Sequence, residues 1–563
     1  MTPIRHSALT LALLPLLALL LALAPTAAAD TLYVDANLNS GVDDGSSWAD
    51  AFKGASGLQT ALAAALAGDE IWVADGTYLA SNTGNRGDSF SLKNGVTLYG
   101  GFAGGESDPS ERPPFGSAES ILDGDLGNND GGGIFTDNTW NIIKTAGTNA
   151  SAVIDGFVVQ GGVATTGGGN RDRGAGILVI SAVSPTVRNC VFRKNRSSFG
   201  GAAGYINNGG APSFTDCTFE DGLGGSFGGA FDIAGGGSVL FERCLFRGNS
   251  AARAGALEIF ATNGVVVVNC IFVDNTATGA SGGGAIWVGS GGNTQFRSCT
   301  IVNNSATLQA VGGLRNQGAG GTTCQNTILW GNSGAGGAMG SANQVDGTNV
   351  NYCNVQGGLG AGVGNIAVAP VFANAAGGDF RLEPTSGGID AGNNSATPAG
   401  VVTDYGGCPR KIDDPATADS GLGVAPFIDM GAHEYAPDAF EDLGFALAGT
   451  HGDPVLTAGG TLCVGDPVTL ALSNALENST TYFVIGVTSV NLPFYGGTLV
   501  PAFEAPFGLF IALPTGPLGN LPLSDTWPGG VPGGTELYFQ HWIVDAGGPF
   551  GFAASNAVRG TVP

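Results

Sequence analysis

CVFRKN (190–195), CTFEDG (217–222), CLFRGN (244–249), CIFVDN (270–275) and CTIVNN (299–304) return along the chain at intervals of 27, 27, 26 and 29 residues. A period this regular means that one coil of chain stacks on the next. In each copy the Cys and the apolar residue two positions on share one side of an extended strand. That side must face a common core, so the spacing predicts a β-solenoid. A second column agrees with the first. GAGI (174), GGAA (200), GGAF (228), AGAL (254), GGAI (283) and VGGL (311) recur at 26, 28, 26, 29 and 28 residues. The next copy of the first frame is NTILWGN (326–332), with Thr327 in the Cys position. Cys324 stands three residues out of register, and Cys353, 26 residues after Thr327, returns to it.

Composition bounds the partners. The chain has 563 residues, 98 of them Gly, only 12% charged and 43% hydrophobic, which excludes a disordered chain. Gly and Asn supply the positive φ values that the corners of a three-sided coil require. A formal charge of −25 argues against nucleic acid and anionic lipid as partners, and favours a cation or a neutral polymer. Arg5 and His6, an apolar run from Leu9 to Ala24 and the small residues Ala27-Ala28-Ala29 predict an export signal over 1–29. No later stretch is long and apolar enough to span a bilayer, so the mature chain is expected to be secreted or held at the cell surface.

LQTALAAALAGDE (58–70) has the 3.6-residue period of a short amphipathic helix ended by Gly68, placed to cap the open end of the first strands. The expected organisation is an N-terminal cap and first coils over 30–120, repeats of about 27 residues over 121–372, last coils and a C-terminal cap over 373–437, and a β-sandwich module over 438–563. In that last part the Cys/Asn period disappears and short alternating strands such as TTYFVIGV (480–487) take over.

Several separated motifs carry a family likeness: DGSSWADAF (44–52), SFSLKNGVTLYGGFAGGE (89–106), VIDGFVVQGG (153–162), DYGGCPR (404–410) and FIDMGAHEY (427–435). The chain resembles exported bacterial proteins with right-handed parallel β-helix repeats, which share the pectin-lyase-like fold. The resemblance covers residues 31–436 and implies an all-β, right-handed parallel β-helix with surface or extracellular roles, adhesion and polysaccharide contact among them. ELYFQHWIVDAGG (536–548) and ASNAV (554–558) resemble a C-terminal module of exported bacterial proteins.

Among the repeats, one column combines groups that carry chemistry. In the GGA-type strands the fourth position is apolar (Ile177, Ala203, Phe231, Leu257, Ile286, Leu314) and faces the core. The fifth then points to solvent and reads Leu178, Gly204, Asp232, Glu258, Trp287, Arg315. Neighbours would lie about 4.8 Å apart at the backbone, close to the carboxylate separation of retaining glycoside hydrolysis, about 5–5.5 Å. Asp232 and Glu258 are therefore the candidate catalytic pair. With Trp287 to stack on a sugar and Arg315 to hold an acidic one, the four are the candidate ligand contacts. A solvated, charge-paired strand face is the plainer reading of the same residues. Other enzyme signatures are missing. The mature histidines His433, His451 and His541 lie outside the repeats, and Lys194 is the lysine there that stands as a candidate base.

Arg193, Glu220 and Arg247 read as a cross-strand charge ladder, and Asn195, Asn249, Asn275, Asn304 and Asn332 as a turn ladder broken at Gly222. The Cys column suits free, stacked core thiols, because in-register coils sit about 4.8 Å apart while a disulfide wants Cβ atoms about 3.8 Å apart. Calcium is the ion the Asp-rich loops suit. The candidates are Asp35, Asp43 and Asp44 with Asn37 and Asn39 in one loop, and Asp123, Asp125 and Asp130 with Asn128 in another. No cofactor is otherwise required. The leading expectation is a non-enzymatic exported protein that binds polysaccharide or a neighbouring surface. The rivals are a polysaccharide lyase or glycoside hydrolase, and a structural envelope component.

Overall fold

The computed structural model describes residues 29–145, 147–260, 264–289, 292–318, 321–503 and 509–563. Most of the expected export signal, residues 1–28, lies outside them. One coil shows the plan of all. Ser213–Thr215 lies in a first sheet, Thr218–Glu220 in a second, Leu223–Gly224 in a narrow strip, and Phe231–Ala234 in a third sheet. Sheet A so defined has 12 strands, sheet B 10, sheet C 9 and the strip 6, with each strand paired to its counterpart in the next coil. The pairings along the stack are parallel, Phe214 to Phe241 to Val267 for example. The repeats form a parallel β-helix: the periodicity implies the stacked coils, and the resemblance implies their right hand.

The Cys frame is the corner between sheets A and B. The residue before each Cys takes a left-handed conformation: Asn189 (φ 50), Asp216 (55), Arg243 (49), Asn269 (52) and Ser298 (49). Asn and Asp adopt this region at low cost. Arg243 and Ser298 follow because the coils above and below fix the corner. The thiols then turn inward, and Cys190, Cys217, Cys244, Cys270 and Cys299 are at most 2% exposed. They remain free, together with Cys324 and Cys353. Cys324 lies on sheet A opposite Phe296, which explains its displacement from the column. Cys353 does return to the column, its Sγ accepting the Thr327 N–H at 3.4 Å.

Beside the thiols runs a core of phenylalanines. Phe246 stacks on Phe272 with ring centroids 4.4 Å apart, and Phe214 on Phe241 at 5.1 Å. At the next corner the Asn ladder forms as the sequence predicts. The Asn249 side-chain amide donates to Asn275 Oδ1 at 3.0 Å, Asn275 to Asn304 at 2.9 Å, and Asn304 to Asn332 at 2.9 Å. Gln344 ends the row, accepting from Asn332 at 2.8 Å. At the gap, the Gly222 N–H donates to Asn249 Oδ1 at 3.0 Å.

The predicted capping helix spans Gly57–Ala64 and buries Leu58, Ala61 and Leu62 over the first strands. It stops before Gly68 because Lys93 Nζ binds the Ala63 and Ala65 carbonyls at 3.2 and 2.9 Å, ending the last turn. At the other end the chain turns back. Phe380, Leu382, Ile389, Met430 and Ala432 pack on the outer face of sheet B, against Ile271, Val273, Val302 and Ile328. The segment after the last coil therefore covers one side of the solenoid.

The described residues from Phe440 onward form antiparallel sheets of 6, 3 and 2 strands. Leu456 of the three-stranded sheet packs on Phe483, Phe539 and Val558 of the largest, with Leu470 and Leu523 beside them. This sandwich is tied to the returning segment by a Cys408–Cys463 disulfide and by Arg381, whose Nη1 lies 3.1 Å from Asp466. The disulfide departs from the free-thiol expectation, which holds for the column alone. These two cysteines lie outside the repeats, where strand register sets no distance between them.

Candidate functional site

Pairing on sheet C places Lys144, Leu178, Tyr205, Asp232, Glu258, Trp287, Arg315 and Asp346 in one row across successive strands. The sequence reading needs two corrections here. Tyr205 occupies the row in place of Gly204, because Gly204 pairs with Phe231 and the repeat frame at 200 starts one residue later than GGAA suggests. More consequentially, the row is not solvated. Asp232 is 3% exposed, Glu258 2% and Trp287 5%, while Arg315 is half-buried.

The side chains do point away from the core, but the connections from the strip to sheet C fold over them. A Cβ at Gly200 would sit 2.6 Å from Asp232 Oδ2, so the connection passes directly over that carboxylate. The Gly228 N–H approaches Glu258 Oε2 at 3.4 Å. Arg253 is the central staple: Nη2 lies 3.2 Å from Glu258 Oε1, and the guanidinium lies over the Phe227 and Trp287 rings at 4.2 and 4.3 Å. Arg173 repeats the device three coils earlier, over Phe199 at 4.0 Å and Tyr205 at 4.7 Å. Trp287 Nε1 donates to Gln317 at 3.2 Å, and Arg315 Nη1 donates to Gln309 Oε1 at 3.0 Å and to the Gly282 carbonyl at 3.3 Å.

Burial sets the protonation of the pair. It pushes the Glu258 carboxyl up to about 8, the nearby Asp232 charge adds to the rise, and Arg253 offsets part of it. Asp232 is pushed up to about 6 by burial, against the pull of Arg173 and Arg253. Two adjacent acids of unequal strength are a general acid–base arrangement. Here they lie beneath a cover of backbone and guanidinium.

The calcium candidates divide. In the first loop each carboxylate serves its own turn: Asp35 Oδ1 accepts from the Asn37 N–H at 2.7 Å, Asp43 from Lys53 at 2.8 Å and Asp44 from Ser46 at 3.0 Å. These residues make a folded loop. In the second, Asp125 Oδ2 gathers the Asn129 and Asp130 N–H groups at 2.8 Å each, and Asp123 Oδ1 accepts from Asp125 at 2.9 Å. Asp130 accepts from the Asn138 amide at 3.1 Å, and Asp137 from the Asn129 amide at 2.8 Å. Buried oxygens nevertheless remain without partners: Asp125 Oδ1, Asn129 Oδ1, Asp137 Oδ1 and Asn138 Oδ1. These are hard oxygen donors, the kind that calcium takes. Asn129 stands inside the DGDLGNND run beside Asn128, while Asp137 and Asn138 were missed because GGGIF (131–135) separates them from it.

The returning segment holds a second polar cluster that no repeat announced. Arg410 is 2% exposed, lies 3.5 Å from Glu434 and donates to the Asp429 carbonyl at 3.0 Å. His433 is held neutral, burial depressing it to about 4. The signal was present in DYGGCPR and FIDMGAHEY, which carry Asp404, Arg410, Asp429, His433 and Glu434.

Among known proteins, the family described as "Right handed beta helix region" matches residues 128–299 and 175–350. The crystal structure of pectate lyase Pel9A aligns at 16% identity, covering 72% of this chain and 96% of that one, with a TM-score of 0.37. The enzymatically active domain of tailspike protein 2 from bacteriophage CBA120 aligns at 11% identity, covering 90% of this chain and 74% of that one, with a TM-score of 0.20. The comparison with curated proteins gives no match. Residues 128–350, which carry the sheet C row and the Asn ladder, are thus similar to that family.

Proposed function

We propose that the protein binds polysaccharide without cleaving it, on the outer face of sheet A. One observation carries this reading. Thr97, Val153, Thr186, Ser213, Leu240, Val266, Gln295 and Thr323 form a register-matched outward row, and each is partly exposed. Hydroxyl, amide and aliphatic groups spaced one strand apart, about 4.8 Å, suit the alternating polar and apolar edges of a sugar chain. The row carries no charge, which fits a neutral polymer beside a chain of formal charge −25. An exported location is supported by the leader-like sequence and by the Cys408–Cys463 disulfide. Calcium in the 123–138 loop would brace the early coils, and chelation should then lower the melting temperature. Among the described residues, no helix is long and apolar enough to cross a membrane.

The test pairs a panel of pectic, alginate, uronate-containing and neutral glycans with two readouts, binding and the appearance of unsaturated or reducing ends. Binding without product is expected, and Ser213→Arg with Thr323→Arg should weaken it at least tenfold. New chain ends would overturn the reading in favour of a lyase or hydrolase. The elevated acids Asp232 and Glu258 give that alternative its specific support, and Glu258→Gln would then abolish turnover.

A further inference from the structure

The returning segment contains an acidic cluster far in sequence from the 123–138 loop. Asp390, Asp413 and Asp419 each bring a carboxylate oxygen within 4.8 Å of the others. The loop carrying the last two is bound to the backbone around the first: the Ser420 and Gly421 N–H groups both donate to the Asp390 carbonyl at 3.0 Å. Asp390 itself is 0% exposed, and its Oδ2 accepts the Asp414 N–H at 3.2 Å. Its other oxygen, Oδ1, is buried without a partner, on a side chain that faces Asp413 and Asp419.

Such an arrangement lacks its counter-charge. Among the described residues none of the three carboxylates is paired with a Lys, Arg or His. The nearby guanidinium, Arg410, is spent on the carbonyls of Asp429, Gly431 and Ala432. A buried, unpaired carboxylate oxygen facing two more carboxylates is strongly disfavoured in its ionised form, and a cation seated among them relieves it. We infer that Asp390, Asp413 and Asp419 form a binding site for a hard divalent cation, calcium by its chemistry, that fastens the 411–421 loop onto the returning segment. The donors are all carboxylate oxygens, which select such an ion over the transition metals. Oxygens on opposite sides of a calcium ion stand about 4.8 Å apart, twice a bond of about 2.4 Å, and water completes the shell of 6–8 ligands. Asp413 and Asp419 are exposed, so the ion can enter from solvent.

The test uses the purified, chelator-treated protein titrated with calcium chloride in a calorimeter, alongside limited proteolysis of the 411–421 loop. The exposed pair is changed together, Asp413→Asn with Asp419→Asn, because neither side chain is needed for the core. Asp125→Asn serves as the control for the other loop. Wild-type protein should bind calcium here and become several-fold slower to cut in the loop. The double variant should lose one equivalent of binding, or bind it at least tenfold more weakly, and lose the protection. Asp125→Asn should leave the protection intact. Unchanged stoichiometry, affinity and cleavage in the double variant would overturn the site, whatever Asp125→Asn does.

Discussion

Two polar columns run along the β-helix, and they are buried from opposite sides. The Asn249–Asn332 column lies inside a corner, where each amide bonds to the next coil and to a backbone carbonyl such as Phe246 O at 2.9 Å. The Asp232–Arg315 row lies outside sheet C and is covered by the glycine-rich connections and the Arg253 staple. The interior column is satisfied by the repeat itself, coil on coil. The exterior row depends on cover that differs from one connection to the next, and it leaves Glu258 an acid of about 8. Burial of a repeating column thus has two origins, and they should respond differently to mutation.

The largest effect is expected inside. Asn304 accepts from the Asn275 N–H at 3.0 Å and donates to the Phe272 carbonyl at 3.0 Å, with both partners buried. Asn304→Ala leaves those groups without water or partner, at about 1–3 kcal/mol each. A loss of about 4 kcal/mol in urea unfolding is the expected outcome. A loss below about 1 kcal/mol would mean that the ladder decorates the corner without holding it.

This contrast also marks what could be read from sequence. The Cys and Asn columns were legible because strand period fixes which side of a strand a residue occupies, and the inner side of a closed coil is always core. The sheet C row was placed on the correct side of its strand but in the wrong environment. Alternation reports inside or outside, and Phe227, Arg253 and Gly200, which supply the cover, belong to connections of unequal length. The same limit applies to the returning segment. Phe380 and Met430 pack on sheet B across more than one hundred residues of chain separation from Ile271. No local period encodes that contact, nor the Cys408–Cys463 bond.

The exterior row should reveal itself through pH. Glu258 has its folded value raised from 4.5 to about 8, by burial first and by Asp232 second, with Arg253 opposing and Trp287 forming the next position of the row. The folded chain therefore holds a proton that the unfolded chain releases. That stabilisation is fully present below about pH 4.5 and is lost as pH rises through about 8. Glu258→Gln, which stays neutral, should remove the slope and raise stability above pH 8 by on the order of 3 kcal/mol. Melting temperatures of both proteins across pH 5 to 9 are the measurement. Parallel curves would show that Glu258 is ionised and solvated, and the cover open.

The smallest effect returns to the interior. Cys270 Sγ accepts the Cys244 N–H at 3.3 Å and lies 3.2 Å from the Val268 carbonyl, to which it donates. A serine there would ordinarily cost about 1–3 kcal/mol for a hydroxyl buried among apolar groups. Thr327, in the same column, shows how the corner accommodates one: its Oγ1 accepts the Cys299 N–H at 3.3 Å and donates to the Gln325 carbonyl at 3.0 Å. Cys270→Ser should therefore cost no more than about 1 kcal/mol. Cys270→Ala, which strips the acceptor from the Cys244 N–H and leaves a void, should cost about 2 kcal/mol. Serine proving worse than alanine would mean that apolar packing of sulfur, and not its hydrogen bonds, decides the column. The thiols give an independent check. Burial pushes Cys270 above its ordinary range and suppresses the reactive thiolate. Alkylation should then be slow in the folded protein, and should reach the seven free cysteines once it is denatured without reductant.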